Sequence, residues 1–259
     1  MSTTKNTENC MVCRSKLDYL DKAEALVCTY CGAGHQAHVK CAKGHFVCDA
    51  CHGKDARTVI EDFARTSTSP DPIAIAELMM AHPSLPMLSC DHAFIAAGAL
   101  MAALRNSPYG SKIGEAEVRE AFARTAKQAH GGYCGLTGVC GVAPAIGACF
   151  SIFLGARCGS DREQRIVMEA VTRVSGSITD LTGPSCCKAY VRGALAAAVA
   201  MFAEKFGVVL PMKGAAVVCS SAAHHPHGCR EERCPYFKKP SNDIFAGNTF
   251  MPGATACVT

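Results

Sequence analysis

From residue 72 to about 207, apolar side chains recur every three or four positions or fill whole stretches, a pattern that predicts helices. Asp71 before Pro72 is an N-cap and first-turn signal for a helix to about Ala81, stopped by Pro83. Residues 91–104 are apolar almost all round, so that helix is expected to be buried on most sides. Glu115 and Glu117 open the next segment and Arg124 and Lys127 close it, the charge order that a helix dipole favours. Ser160 with Glu163 reads as a capping box before Ile166, Ala170, Val174, Ile178 and Leu181, which share one helical face. Gly183 and Pro184 start a final helix that Gly207 ends. Upstream, Val59, Ile60 and Phe63 mark a short helix within 53–65.

These elements give a mainly α protein in four parts: a small zinc-binding module with its short helix (1–65), a TSTSPD linker (66–71), a helical bundle (72–210) and a Cys/His-rich loop tail (211–259). Residues 131–156 carry no charge and are long enough to span a bilayer, but seven of them are Gly and Pro144 interrupts them. A buried helix entered through a Gly-rich loop fits better than a membrane span. The 26 basic and 22 acidic residues are spread evenly, and Trp is absent. That balance argues against nucleic acid or an anionic membrane as partner. The polar opening MSTTKNTENC has no apolar signal-peptide core, so a reducing cytoplasm is expected. There the 18 cysteines point to metal or catalysis, not to disulfides.

The first 52 residues arrange their ligand-capable side chains in four pairs: Cys10 and Cys13, Cys28 and Cys31, His38 and Cys41, Cys48 and Cys51. The spacing is C-x2-C-x14-C-x2-C-x6-H-x2-C-x6-C-x2-C. Eight soft donors suit two tetrahedral zinc ions, and two ligands from one tight knuckle reduce the entropy cost of assembling four. His35, His45 or His52 could replace His38. The pairs could join first with third and second with fourth, as a cross-brace, or sequentially, as two ribbons. So short a segment buries too little surface to fold unaided, and closed four-ligand sites leave no place for a substrate, so the zinc is structural.

A second cysteine set lies further on. GGYCGLTGVCG puts Cys134 and Cys140 in a Gly-rich loop, and GPSCCK puts Cys186 and Cys187 on the first turn of a helix. Cys140 precedes a helix, and Cys90 and His92 sit at the opening of the apolar helix at 91, so three helix starts could converge. Amides at such starts favour a bound anion, and an iron–sulfur cluster with thiolate ligands is one; zinc would also fit. Cys149 and Cys158 read as compact apolar fillers. In the tail, Cys219, Cys229 and Cys234 either complete the internal site or close one of their own. His224, His225 and His227 form a tract that could bind metal as a chaperone does, and Cys257 reads as a free thiol. His92 or His130 could face a cluster as ligand or proton donor. The chain has no P-loop, dinucleotide Gly fingerprint, HExxH, GxSxG or Cys-x3-Cys-x2-Cys.

GGYCGLTGVCG, GPSCCK and CREERCPYF, with ENCMVC and VCTYCG, resemble an uncharacterised cysteine-rich bacterial and archaeal family of unknown function. The resemblance extends over nearly the whole chain and takes in the N-terminal knuckles, His92, Cys134, Cys140, Cys186, Cys187, Cys219, Cys229 and Cys234. It implies company with radical SAM proteins of anaerobes, and it assigns no reaction. The expected protein carries two zinc ions and an iron–sulfur cluster and acts in sulfur or group transfer, with a sulfur acceptor as partner. The alternatives are a zinc-only adaptor for a protein partner, or a metal chaperone.

Overall fold

The structure is a computed structural model that describes residue 10, residues 12–13, 15–48, 51, 55–212 and 217–238. Cys257 lies outside the described residues. Near the N-terminus, β1 (Leu17–Val27) and β2 (Gly34–Cys41) form an antiparallel hairpin. The register runs from Leu17 opposite Cys41 to Val27 opposite Gly34, with an irregularity in β1 between Tyr19 and Glu24. Ala37 and Cys41 are the buried residues of the two strands. The hairpin's own small core consists of Cys28, Ala37, Phe46, Cys48 and Cys51.

The remainder is helical: α1 (Ala56–Thr66), α2 (Pro72–Ala81), α3 (Asp91–Arg105), α4 (Glu115–Ala126), α5 (Tyr133–Thr137), α6 (Val142–Leu154), α7 (Asp161–Asp180) and α8 (Cys187–Phe206). Polar caps set several starts. Asp55 accepts the amides of Arg57 and Thr58, Asp71 those of Ile73 and Ala74, and Glu117 accepts the Gly114 amide at 2.8 Å. Ser160 is an exception to the expected capping box, because its hydroxyl bonds to the Arg157 carbonyl and amide instead of to the helix.

The all-round apolar α3 is the centre of the bundle, buried at every position from His92 to Leu104 and flanked by α1, α2, α4, α6 and α8. α7 is amphipathic and lays Ala170, Val174 and Ile178 on the core. Phe150, Phe153, Phe202 and Phe206 join α6 to α8, with the Phe150 and Phe202 ring centres 4.2 Å apart. Gly147 lets α6 approach α7, since a Cβ there would stand 2.6 Å from Val171 Cγ2. The charge-free stretch thus resolves into the short exposed α5, a loop and the buried α6. Among the described residues, no helix is long and apolar enough to cross a membrane.

Side chains tie the connecting segments to this core. Arg105 and Asn106 donate to carbonyls of residues 64–69. Tyr30 of the hairpin turn donates to the Ala81 carbonyl and packs its ring 4.3 Å from that of His82. The tail returns to α8: the Cys219 amide donates to Tyr236, whose ring is buried, and Lys188 donates to both Met80 and Ser221.

Candidate metal centres

Two groups of four ligand atoms come together in the N-terminal module, Cys10, Cys13, Cys41 and His45 in one and Cys28, Cys31, Cys48 and Cys51 in the other, with the atoms of each within 4.8 Å of one another. The pairs therefore interleave as a cross-brace, first with third and second with fourth. Around a tetrahedral zinc with bonds of about 2.3 Å, neighbouring sulfurs stand about 3.7 Å apart. The Cys13–Cys41 and Cys31–Cys48 separations are both 3.7 Å. The arrangement fits a tetrahedral ion such as zinc.

The histidine of the first group is His45, whose Nδ1 lies 3.4 Å from Cys41 Sγ. His38 is not part of the group; it is exposed, with Nδ1 against the Leu20 carbonyl. The reason is strand geometry. His38 lies within β2 three residues before Cys41, and in a strand that spacing puts two side chains on opposite faces. Gly44, at φ +79°, turns the chain after Cys41 and returns His45 to the thiols. The His-x2-Cys spacing imitates a knuckle without forming one. His35 packs on Phe46, and His52 lies outside the described residues.

A recurring local bond marks these thiols: the amide two residues on donates to the sulfur, Val12 to Cys10, Ser15 to Cys13, Tyr30 to Cys28 and Ala33 to Cys31. Such bonds favour the thiolate. Burial opposes them at Cys13 and Cys28, yet donors from Ser15 at the first and from the Cys48, Cys31 and Tyr30 amides at the second bring both thiols down to about 6. Burial and neighbouring thiols push Cys51 up. One group therefore mixes ready thiolates with thiols whose charge only a cation would stabilise.

Eight further cysteines gather around the start of α8. Cys186 is its N-cap and Cys187 its first residue. The Cys187 thiol receives the Ser89 amide, so the chain just before α3 lies against α8. Gly141, at the start of α6, packs against Ala129 and Ala93 so closely that a Cβ would meet them at 2.9 and 3.6 Å. The starts of α3, α6 and α8 thus converge, and the exposed α5 carries Cys134 beside them. Burial pushes Cys140 up to about 11 and Cys187 to about 12. On the other side of α8, Cys186, Cys219, Cys229 and Cys234 line one small, largely enclosed cavity with His225 and Arg230. Among the described residues, no other three Cys, His, Asp or Glu ligands share the tight grouping of the zinc-like sets.

The remaining candidate residues range from buried to exposed. His92 is buried in the bundle with Nδ1 3.2 Å from the Ser89 carbonyl, and burial with the charge of Lys188 brings it down to about 4. His130 is exposed beside Tyr133. Cys149 is the buried filler expected, donating to the Ala145 carbonyl at 3.3 Å, whereas Cys158 sits exposed in the turn before α7 and fills nothing. The residues 224–227 form no tight ligand group among the described residues. Sequence reasoning passed over Arg192. It is buried, paired with Glu77 through two bonds of 2.6 and 2.8 Å, and bonded to Cys219. With Lys43, Lys188, Ser221 and His224 it lines a cleft of about 440 Å³ that reaches Cys13 and His45.

Fold and ligand sets define a cysteine-rich helical protein able to bind metal, with a cross-braced module at its N-terminal side. The chain belongs to the DUF5714 family, a family of unknown function, whose model matches residues 60–237. The match takes in α1 through α8 and the tail cysteines to Cys234, and the N-terminal knuckles lie before it, so the family likeness is narrower than the whole chain. No curated protein and no solved structure is similar enough to match.

Proposed function

We propose that this protein carries two structural zinc ions in its N-terminal module and iron–sulfur chemistry at the start of α8, serving sulfur or group transfer in anaerobic metabolism. One observation carries the reading: beyond the eight ligands of the two tight groups, eight more thiols collect on the two sides of the α8 start, spaced more widely than around a single ion. Thiolates that hold a cluster of several irons stand farther apart than those on one zinc. The cleft beside them fits an anionic small molecule or a sulfur acceptor, because Lys43, Lys188 and His224 face it beside the neutral Arg192–Glu77 pair. A cytoplasmic setting suits so many reduced thiols.

The test is metal and acid-labile sulfide analysis of full-length protein purified without air, read beside its visible spectrum. Two zinc with iron and equimolar sulfide, and a broad charge-transfer band, is the expected result. Zinc alone, colourless and without sulfide, overturns the reading. It would favour a zinc-only adaptor, which the cross-brace and the exposed Tyr19 and Val27 of the hairpin support as a surface for a protein partner.

A further inference from the structure

The eight internal thiols form two sets, not one. Cys186 and Cys187 are adjacent, but Cys186 has extended backbone (φ −133°, ψ 103°) and Cys187 begins the helix, so their side chains leave the chain in different directions. On one side, Cys90 caps α3, Cys140 precedes the Gly141 that packs on Ala93 of α3, and Cys187 opens α8; the charges of these thiols act on one another and on Cys134 of α5, and Cys187 also senses Cys186. On the other, Cys186 shares its enclosed cavity with Cys219, Cys229 and Cys234. Resting on the iron–sulfur reading above, we infer that the helical domain binds two iron–sulfur clusters, one held by Cys90, Cys134, Cys140 and Cys187 and the other by Cys186, Cys219, Cys229 and Cys234.

Three observations point to a guest in the second set. Two of its thiols receive the amide two residues on, Ser221 to Cys219 at 3.4 Å and Glu231 to Cys229 at 3.3 Å, and the amides of Ala189 and Tyr236 favour the thiolates of Cys186 and Cys234. Amide donors of this kind also serve Cys10, Cys13, Cys28 and Cys31 of the zinc-like groups, and here they converge from separate turns on one cavity. Holding that arrangement costs Glu231 a positive φ of 50°. Next, Arg230 Nε, on a residue of the cavity wall, and Tyr236 Oη, two residues from Cys234, are buried donors without a hydrogen-bond partner. Buried donors need an acceptor, and four thiolates around bridging sulfides supply several. Finally, Arg192 reaches Cys219 from the core, a fixed cation beside what would be an anionic group. A lone zinc would need the four sulfurs drawn into a tight tetrahedron, which they do not form.

The first set has a different access. Cys134 is exposed on α5, which has no buried residue, and Tyr133, Leu136 and Val139 around it face solvent. Its amide donors are Val142 to Cys140 and Ser89 to Cys187. The first cluster is therefore open to a reactant at one corner and the second is enclosed. Two clusters with neighbouring ligands also lie close enough for their unpaired electrons to interact.

Full-length protein reconstituted anaerobically with iron and sulfide provides the test. Cys134→Ser removes a ligand from an exposed helix and Cys229→Ser removes one from a partly exposed turn, so neither change touches the buried core. With four irons to each four-thiolate cluster, wild type is expected to hold about eight iron and eight sulfide per chain, and each variant about half. The spin–spin splitting in the electron paramagnetic resonance spectrum of the reduced protein should vanish in either variant. Far-UV circular dichroism confirms that each variant is folded. About four iron in wild type, with both variants losing the same signal, overturns the two-site inference and leaves the iron–sulfur reading intact. No iron in wild type overturns both. Four zinc in place of iron sinks the clusters at both sites.

Discussion

The Arg192–Glu77 pair is the strut between the bundle and the tail cysteines, and breaking it is measurable. The Arg192 side chain is 5% exposed and that of Glu77 29%. Arg192 also stacks over the Tyr236 ring, 5.0 Å away, and bonds to Cys219. Glu77→Gln keeps the shape of the carboxylate but leaves a buried guanidinium short of its counter-ion. Removing one partner of a fully buried pair costs about 3–5 kcal/mol, and the partial exposure of Glu77 puts this case near the lower end, about 3 kcal/mol. In a chain this long each kcal/mol moves Tm by about 2–4 °C, so a fall of about 6–12 °C is expected in metal-free protein. Urea unfolding followed by far-UV circular dichroism gives the free energy directly, provided metal content is matched between variants. The double variant Glu77→Gln/Arg192→Met should be less destabilised than the sum of the singles, by about 1–3 kcal/mol of coupling. An anionic cluster at Cys219 would give Arg192 a second counter-ion, so the cost should shrink in loaded protein. A loss below about 1 kcal/mol for Glu77→Gln, or strict additivity in the double variant, would refute the argument that the pair is a buried, coupled strut.

Other consequences are as direct. His45→Ala should lower bound zinc from two per chain to one, while His38→Ala keeps both, as read by metal analysis after gel filtration; the reverse pattern would restore His38 as the ligand. Arg173, with Lys205, holds Glu204 down at about 2 against an ordinary 4.5. The folded state therefore binds fewer protons than the unfolded one between those values, so the contribution is complete above 4.5 and lost as pH falls towards 2. Glu204 is about half exposed, so the effect should stay below about 1 kcal/mol and weaken with salt, and Glu204→Gln should flatten this part of the acid titration. Gly147→Val forces α6 away from Val171 of α7 and should cost about 1–3 kcal/mol in urea unfolding, against no loss if the helices can part freely.

Legibility in the sequence followed the range of the interaction. The Asp71–Pro72 start, the end of α2 at Ala81 and the buried face of α7 were readable because each depends on neighbours within one or two turns. Ser160 misled because its hydroxyl found the Arg157 carbonyl first, a competition that the S-x-x-E pattern does not encode. The three Cys-x2-Cys knuckles were readable for the same local reason. The fourth pair was not, because His38 became part of a strand whose alternation turned it away from Cys41. The division of the internal thiols was beyond reach of spacing: Cys90, Cys134, Cys140 and Cys187 meet only through the packing of three helices. Spacing alone lets the tail return to the internal site or stand alone. It meets Cys186 but not Cys187, a distinction set by the backbone turn at one peptide bond.

Two kinds of ligand support follow, with opposite responses to metal loss. In the hairpin module, three of the five core residues are themselves thiols, Cys28, Cys48 and Cys51, beside Ala37 and Phe46, with Leu26, Tyr30 and Val47 only partly buried against them. So small a core cannot offset the chain entropy of ordering the strands, and the metal must supply the difference. At the start of α8 the thiols sit at helix starts and on the returning tail, beside a core that would persist without metal: α3 and α8 are buried along most of their length, and the Phe150–Phe202 contact lies well along α8 from Cys187. Chelation of the full-length protein should therefore release the amides of residues 17–41 to rapid hydrogen exchange while those of α3 and α8 stay protected. Loss of protection in both regions together would mean that the internal thiols also hold the bundle together, and that any metal they bind is structural.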